Sequence, residues 1–302
     1  FLGLIYIDLF LILIFKRDMI IWLASYPKSG NTLVRALLAS YFYSKNGEFN
    51  FNLIKNITQF PSNSIFHKLG IDIKNEKEVI KNYIRAQESI NQKNSIHFLK
   101  THSYLFNIDN NPFTDLNNSL GAIYIVRDPR NVVTSYAHHF NISMEKAADR
   151  LVSSIIYGGN FNSKHKPDRT KVYLGSWNSN YNSWKSFKLS EKYLLIKYED
   201  LLNNKEATLI KILNFIYQLR GLKFNLDQNK LKNIINTTSF DKMKNLEKEN
   251  SFFENNINKT TGKKIPFFNL GPQNDWKKFV DKKIRIKIET SFKKEMEELH
   301  YL

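Results

Sequence analysis

The sequence contains no cysteine among its 302 residues. This absence excludes a disulfide framework, a cysteine metal site and a thiol nucleophile. A reducing compartment suits such a chain, and we expect a cytoplasmic protein, although a chain without cysteine can also function elsewhere. Acidic residues are scarce too, since 28 Asp and Glu face 45 Lys and Arg and leave a formal charge of +17. That charge suits an anionic cofactor, an acidic glycan, a membrane surface or nucleic acid, and it does not choose among them.

Long apolar runs are missing except at the beginning of the chain. Residues 1–15 (FLGLIYIDLFLILIF) are almost wholly apolar, but a membrane-spanning helix needs ~20 such residues. An interfacial anchor, a signal-like segment and an upstream extension that the mature protein lacks all fit this stretch, and Met19 favours the last. We expect residues 1–18 to be an extension that could contact a membrane surface. No repeat or linker divides residues 19–302, which we expect to form a single domain.

The remaining pattern alternates buried-strand runs with amphipathic stretches, and this predicts an α/β fold with a parallel sheet of at least four strands. A hydrophobic content of 42% is enough for a full core. Ser143 is expected to begin a helix that ends at Gly158 and Gly159. One amphipathic helix is expected over residues 280–299. The predicted strands cover residues 20–24, 95–100, 120–126 and 193–198.

The first predicted strand runs into the turn YPKSGNTL at residues 26–33. Backbone N–H groups and a positive helix end would meet there, and such a place binds a phosphate or another oxyanion. The nucleotide-triphosphatase loop GxxxxGK[ST] has Lys after its second Gly, whereas Lys28 precedes the only Gly, Gly30. A phosphate cradle of a different design is therefore expected, although an ordinary strand-to-helix turn can also be rich in Ser, Gly and Asn.

Two other predicted strands end in chemically active side chains. Arg127 follows residues 120–126, and Ser135 lies eight positions later in a predicted helix. Lys100 ends the strand before His102. Ligands of open parallel sheets bind outside the carboxyl ends of the strands, so His102 is expected in one crevice with Lys28 and Arg127.

These stretches, together with YED at residues 198–200, resemble the sulfotransferase family that uses 3′-phosphoadenosine 5′-phosphosulfate (PAPS). The resemblance implies a P-loop-like three-layer α/β fold with a central parallel sheet of four or five strands flanked by helices. In that family the first loop holds the 5′-phosphosulfate, and an Arg followed by a Ser eight positions later holds the 3′-phosphate. The residues that this resemblance assigns to the donor's anionic groups are Lys28, Ser29, Gly30, Asn31, Thr32, Arg127 and Ser135.

Three further segments resemble the parts of the family that bind the adenosine. Tyr198 corresponds to the Tyr of YED, which lies near the adenosine in the family. The segment TTSFDKMK at residues 237–244 resembles TSFxxMK, in which Thr and Phe contact the base, and this implies Thr238 and Phe240. Gly271 matches the closing RKGxxGDW segment.

The sequence departs from the family at several of these positions. Asn269 and Leu270 stand where Arg and Lys would grip the 3′-phosphate, and Leu33 stands where an adenine-stacking Trp is common. Asn180 occupies a position where His is common within an aromatic helical stripe. The candidates for replacing the missing charge are Lys259, Lys263 and Lys264.

By resemblance, His102 is the general base, Lys28 stabilises the departing phosphate and Lys100 assists at the sulfuryl group, with no metal required. The acceptor is expected to be a small molecule, a glycolipid or a glycan rather than nucleic acid. Its pocket would be built from residues 44–94, residues 141–170 and the loop before Gly271. Two alternatives remain: a magnesium-dependent kinase-like phosphotransferase, and a non-catalytic protein that binds anionic glycans or nucleic acid.

Overall fold

The computed structural model of the chain describes residues 19–92, 96–157, 170–250, 252–258 and 261–302. The predictions for residues 1–18, for the glycines at 158 and 159 and for Lys259 lie outside these residues. Within them, the strands are β1 Ile20–Ser25, β2 Thr58–Gln59, β3 His97–Thr101, β4 Asn107–Ile108, β5 Asn111–Pro112, β6 Ser119–Val126, β7 Ile155–Tyr157, β8 Val172–Gly175, β9 Tyr193–Lys197, β10 Asn256–Ile257 and β11 Lys264–Ile265.

Helices alternate with these strands along the chain. The α-helices are α1 Asn31–Tyr43, α2 Phe51–Ile54, α3 Asn63–Lys68, α4 Glu76–Lys81, α5 Tyr83–Asn91, α6 Pro129–Phe140, α7 Met144–Val152, α8 Trp177–Trp184, α9 Tyr198–Asn203, α10 Lys205–Leu219, α11 Gln228–Thr237, α12 Phe240–Asn250, α13 Trp276–Phe279, α14 Lys282–Ser291 and α15 Lys293–Glu298. Short 3₁₀ helices cover Lys185–Ser190 and Gly271–Gln273.

The central sheet has five strands in the order β2, β3, β1, β6, β9, and all four pairings are parallel. In β1, Trp22 lies between Leu99 of β3 and Ala122 of β6. Side chains of a strand alternate between the two faces of its sheet. Ile20 and Trp22 accordingly belong to one hydrophobic core and Ile21 to the other. Helices cover both faces, and the predicted three-layer fold with a central parallel sheet is confirmed.

The sheet brings the ends of four strands to one edge. Because β1, β3, β6 and β9 run in the same direction, the residues that follow them emerge together. Lys28 follows β1, His102 follows β3, Arg127 follows β6 and Tyr198 follows β9. This edge carries the candidate site.

Two helix predictions differ from the structure. Ser143 caps a helix as expected, accepting a hydrogen bond from the backbone N–H of Lys146, but this helix ends at Val152. The apolar residues beyond it form β7, which pairs antiparallel with β8. The helix expected over residues 280–299 is interrupted at Phe292, between α14 and α15. Within the described residues, no helix is both long enough and apolar enough to span a bilayer.

Candidate functional site

The turn between β1 and α1 is held in an unusual backbone conformation. Lys28 has φ 68° and Gly30 has φ 104°, both in the left-handed region. A Cβ atom built on Gly30 would lie 2.4 Å from Cδ2 of Tyr198. Only glycine satisfies both the backbone angle and this close approach. The ring of Tyr198 therefore packs directly against the backbone of the turn at Gly30.

The polar side chains of the turn divide into two groups. Among the described residues, the buried hydroxyl of Ser29 has no hydrogen-bond partner. Asn31, by contrast, donates from Nδ2 to the carbonyl of Leu23 at 2.9 Å and to Ser25 Oγ at 3.2 Å. Buried polar atoms are normally paired, so the Ser29 hydroxyl keeps unused hydrogen-bonding capacity, while Asn31 holds the end of β1.

The ammonium group of Lys28 lies over the ring of Phe267, 3.7 Å from its centroid. Burial lowers the pKa of Lys28 to about 7, against its ordinary value of 10.5. Lys100 and Arg127 lower this pKa further, whereas Glu254 opposes the shift. A bound anion would favour the protonated form of the Lys28 amine. This behaviour is expected of a lysine that binds anions.

His102 is fixed from two sides. Its Nδ1 atom lies 2.8 Å from the carbonyl oxygen of Ser25, and since a carbonyl only accepts, Nδ1 donates and Nε2 keeps its lone pair. Asn180 donates to the carbonyl of His102 at 2.8 Å. Burial, with Lys100 nearby, lowers the pKa of His102 to about 3. The imidazole is therefore neutral near pH 7, with Nε2 as its proton acceptor.

Arg127 joins two parts of the site. Its Nη1 atom donates to the carbonyl of Lys28 at 3.2 Å and to Ser135 Oγ at 3.1 Å, and its guanidinium lies 4.3 Å from the centroid of the Tyr198 ring. Arg127 as a whole is 5% exposed, and its Nε has no partner among the described residues. Arg127 and Ser135, which share the expected spacing, therefore meet with donor capacity left for a ligand.

Asn274 is a residue that the sequence analysis missed. It donates from Nδ2 to Ser135 Oγ at 3.0 Å and to the carbonyl of Asn131 at 2.9 Å, and its Oδ1 accepts from Thr134 at 2.6 Å. It stands where the family segment RKGxxGDW has its second Gly. This departure from the family segment was the signal that could have identified Asn274 from the sequence. Asn274 fixes the rotamer of Ser135.

Lys100 faces a carboxylate that the sequence analysis also missed. Its Nζ lies 3.1 Å from Oε1 of Glu254, and Nη1 of Arg35 lies 2.5 Å from the same oxygen. Thr32 donates to Oε2 of Glu254 at 3.3 Å. These basic groups hold the pKa of Glu254 well below its usual value against the opposing effect of burial. The site therefore contains a half-buried carboxylate among its cations.

The residues assigned to the base form the opposite end of the site. Thr238 is buried and its hydroxyl donates to the carbonyl of Ile234 at 2.6 Å, while Lys205 Nζ donates to the Thr238 carbonyl at 3.1 Å. A Cβ built on Gly271 would lie 2.3 Å from the ring of Phe240, so Phe240 rests directly on the Gly271 backbone. One face of this aromatic ring is thus already covered.

A cavity of about 870 Å³ connects these groups. All of the predicted site residues line it except Ser29, which is buried beneath the turn. Neither Lys263 nor Lys264 is among its described lining residues, and both are exposed. The basic residues that do line it are Lys28, Arg35, Lys55, Lys100, Arg127 and Lys205.

The walls expected to contact an acceptor are present in part. Residues 55–64 contribute Gln59 and Pro61, the described end of residues 141–170 contributes Thr170, and the loop before Gly271 contributes Phe268. The cavity wall that these segments contribute therefore mixes apolar and polar surface.

Comparison with known proteins places this geometry in a wider context. The family profile described as sulfotransferase domain matches residues 18–300. The chain is 25% identical over 272 residues to flavonol 3-sulfotransferase of Flaveria bidentis, covering 86% of this chain and 76% of that protein. It is 22% identical over 279 residues to sulfotransferase 1E1 of Mus musculus, covering 91% and 83%.

Solved structures share the fold. The crystal structure of mouse sulfotransferase SULT7A1 complexed with PAP matches with a TM-score of 0.56 and 20% identity, covering 93% of this chain and 84% of that one. Retinol dehydratase in complex with androsterone and inactive cofactor PAP matches with a TM-score of 0.55 and 16% identity, covering 93% and 81%. At these identities the likeness concerns the fold.

Proposed function

The chain belongs to the sulfotransferase domain family, and we propose that it transfers the sulfuryl group of PAPS to a hydroxyl or amine of a small-molecule acceptor. The observation that carries the proposal is the meeting of Lys28, His102 and Arg127 around one cavity at the carboxyl edge of the sheet. Each comes from a different strand end, so the arrangement depends on the whole sheet.

The residues present fit a doubly anionic nucleotide. Arg127 lines the cavity, and its Nε is a donor without a partner among the described residues. The hydroxyl of Ser29, also without a partner there, lies beneath the turn. Gly30 allows the left-handed turn and the close packing of Tyr198 that shape this part of the site. Two separate groups of donors, around the turn and around Arg127, match two separated anionic groups.

The group around Arg127 is the candidate 3′-phosphate site. Its cation and the Ser135 hydroxyl are held together by a 3.1 Å hydrogen bond, and Asn274 orients the hydroxyl from behind. Leu270 and Asn269, which replace the family's basic pair, line the cavity without adding charge. Arg127 therefore carries most of the charge at this end.

The group around the turn is the candidate 5′ site, and PAPS supplies the activated sulfuryl group there when bound. Lys28 and Lys100 put positive charge where a departing phosphate becomes more negative, which is the largest effect available to a transfer of this kind. Lys28 has a depressed pKa, so it is responsive to the arriving negative charge.

His102 is the candidate general base. Its Nε2 lone pair is kept free because Nδ1–H is committed to the Ser25 carbonyl. A neutral imidazole can take the proton of an acceptor hydroxyl as the oxygen attacks. The Ser25 carbonyl restrains rotation of the ring, and Asn180 holds the backbone carbonyl of His102. Orienting the base in advance in this way lowers the barrier of the transfer.

The acceptor would bind against the mixed apolar and polar walls of the cavity. Apolar Pro61, Val172 and Phe140 line the cavity together with Ser64 and Thr170. Such walls suit a flat or compact molecule that offers one hydroxyl to His102. Glycan and glycolipid acceptors, and membrane contact by residues 1–18, stay predictions from the sequence.

Calorimetric titration with adenosine 3′,5′-bisphosphate and with adenosine 5′-monophosphate tests the donor assignment. We expect the bisphosphate to bind at least about tenfold more tightly, because only it engages Arg127 and Ser135. Equal affinity for the two nucleotides would contradict the proposal. Turnover of labelled PAPS over a panel of desulfated acceptors would then identify the acceptor class, whereas magnesium-dependent turnover of a nucleoside triphosphate would favour the phosphotransferase alternative.

A further inference from the structure

A carboxylate of the chain itself occupies the cluster of cations at the turn. Glu254 belongs to the segment between α12 and β10, and it lines the cavity. Its Oε1 atom lies 2.5 Å from Nη1 of Arg35 and 3.1 Å from Nζ of Lys100, while Oε2 accepts from the Thr32 hydroxyl at 3.3 Å. Two cations and one hydroxyl therefore converge on a single anionic group.

The groups that hold this carboxylate are fixed to the sheet and its first helix. Thr32 and Arg35 belong to α1, and Lys100 belongs to β3. Arg35 is 3% exposed and also donates from Nη2 to the carbonyl of Ile57 at 3.2 Å, so its position does not depend on Glu254 alone. A rigid, buried set of donors around an acidic group has the form of an anion site.

The carboxylate lies beside the two residues assigned to the reaction. Lys28 and His102 both experience the charge of Glu254, and Lys100 contacts it directly. An anionic donor placed between Lys28 and Lys100 would meet Glu254 as a like charge competing for the same donors.

We propose that Arg35, Lys100 and Thr32 form the anion subsite for the 5′ end of the sulfuryl donor, and that Glu254 is an internal occupant displaced by donor oxygens. The proposal rests on the function proposed above and adds Arg35 to the binding residues. Like any competing occupant, Glu254 reduces the apparent affinity for the donor by the fraction of molecules in which it holds the subsite.

The backbone around Glu254 is anchored, which keeps the carboxylate close to the subsite. Phe252 is buried and its ring lies 4.7 Å from that of Phe51 and 5.0 Å from that of Phe267. On the other side, Asn256 donates from Nδ2 to the carbonyl of His139 at 2.8 Å. In the proposal, the Glu254 side chain leaves the subsite by rotating between these anchors.

Glu254→Gln tests the proposal, because the amide keeps an acceptor for Arg35 but removes the charge. Titration with inorganic sulfate, adenosine 3′,5′-bisphosphate and adenosine 3′-monophosphate separates the two ends of the site. We expect the variant to bind sulfate and the bisphosphate about tenfold more tightly than the unmodified protein and the 3′-monophosphate equally well. Glu249→Gln, which removes an exposed charge from α12, should leave all three affinities unchanged.

Two further variants make the result decisive. Arg35→Gln added to Glu254→Gln should abolish the gain for sulfate, because the cation that holds the anion is gone. Glu254→Asp keeps the charge but shortens the reach by one methylene, and it should give a smaller gain; it also serves if Glu254→Gln does not fold.

The outcomes separate this inference from the proposed function. A gain for sulfate without binding of the bisphosphate would support the anion subsite and count against the PAPS assignment. Binding of the bisphosphate by the unmodified protein with no gain for sulfate or bisphosphate in either Glu254 variant would overturn the inference and leave the PAPS assignment intact. Absence of any sulfate gain overturns the inference in every case.

Discussion

The imidazole of His102 and the backbone carbonyl of Ser25 are joined by a 2.8 Å hydrogen bond, although one residue follows β3 and the other ends β1. The bond exists because β1 and β3 are adjacent parallel strands. It fixes the tautomer that a general base requires, and it sets the first prediction.

His102→Ala should lower kcat ~10²–10⁴-fold, because the acceptor proton loses its base. The affinity for adenosine 3′,5′-bisphosphate should stay within about twofold, since the proposed donor contacts are made by other residues. Steady-state kinetics with labelled PAPS and calorimetry measure the two quantities. His67→Ala, at an exposed position of α3, is the matched control. A variant that kept full kcat would exclude His102 as the base.

The pH dependence should carry the signature of a buried neutral imidazole. Because the pKa of His102 is about 3 rather than 6.5, kcat should show no loss from its protonation between pH 8 and about pH 5. Between about pH 3 and pH 6.5, His102 is protonated in the unfolded chain and neutral in the folded chain. The contribution of His102 to the free energy of unfolding therefore increases as pH rises through this range. A kcat profile with an acid limb at ~6.5 that vanished in His102→Ala would contradict this expectation.

Binding of an anion at the turn should be linked to proton uptake by Lys28. With a pKa of about 7, lowered by burial, Lys28 is largely neutral at pH 8 in the free protein, and a bound anion favours its charged form. Affinity for adenosine 3′,5′-bisphosphate should therefore fall above pH 7, by up to about tenfold per pH unit. Calorimetry at pH 8 in buffers of different ionisation enthalpy measures the proton uptake. Lys28→Met should abolish it, and uptake that persisted in this variant would assign the proton to another group.

Asn274→Ala should weaken the candidate 3′-phosphate site specifically. The side chain donates to Ser135 and accepts from Thr134, so its loss frees the hydroxyl that Arg127 contacts. We expect about a tenfold loss of affinity for adenosine 3′,5′-bisphosphate, which is the scale of one charge-assisted hydrogen bond. Affinity for adenosine 5′-monophosphate is the internal control and should not change. An equal loss for both nucleotides would point to general distortion of the loop.

Asn180→Leu should destabilise the fold. The amide is fully buried, donates to the carbonyls of His102 and Leu174, and accepts from the hydroxyl of Tyr124 at 2.8 Å. Each group left unpaired costs about 1–3 kcal/mol. Urea denaturation should show this loss in the free energy of unfolding, whereas Asn214→Leu, on the exposed side of α10, should change it little. Unchanged stability in Asn180→Leu would mean that solvent satisfies these groups.

The sequence was sufficient for the sheet and for the residues at its edge. Buried parallel strands are continuous apolar runs, and the four longer strands of the sheet could be located from that pattern. β2 could not, since it has only two exposed residues, Thr58 and Gln59, and owes its pairing to β3. β7 was mistaken for helix for a similar reason: Ile155 and Ile156 adopt extended structure only because β8 lies beside them.

Polar partners were the part of the site that the sequence concealed. Glu254 and Arg35 are 219 positions apart, and no periodicity relates them. Asn274 occupies a loop position whose partners, Ser135 and Asn131, belong to α6. Contacts of this kind depend on the path of the loop between α12 and α13, which local patterns do not specify.

The sequence by itself determined the family and the strand ends that carry Lys28, His102 and Arg127, because these follow from apolar periodicity and from motifs only a few residues long. Only the tertiary structure decided the hydrogen bonds and the protonation states of these groups. Burial sets the pKa of Lys28 and His102, and a distant carboxylate sits among the cations. Desolvation and long-range pairing are properties of the packed chain, so they appear only once the sheet and its loops are assembled.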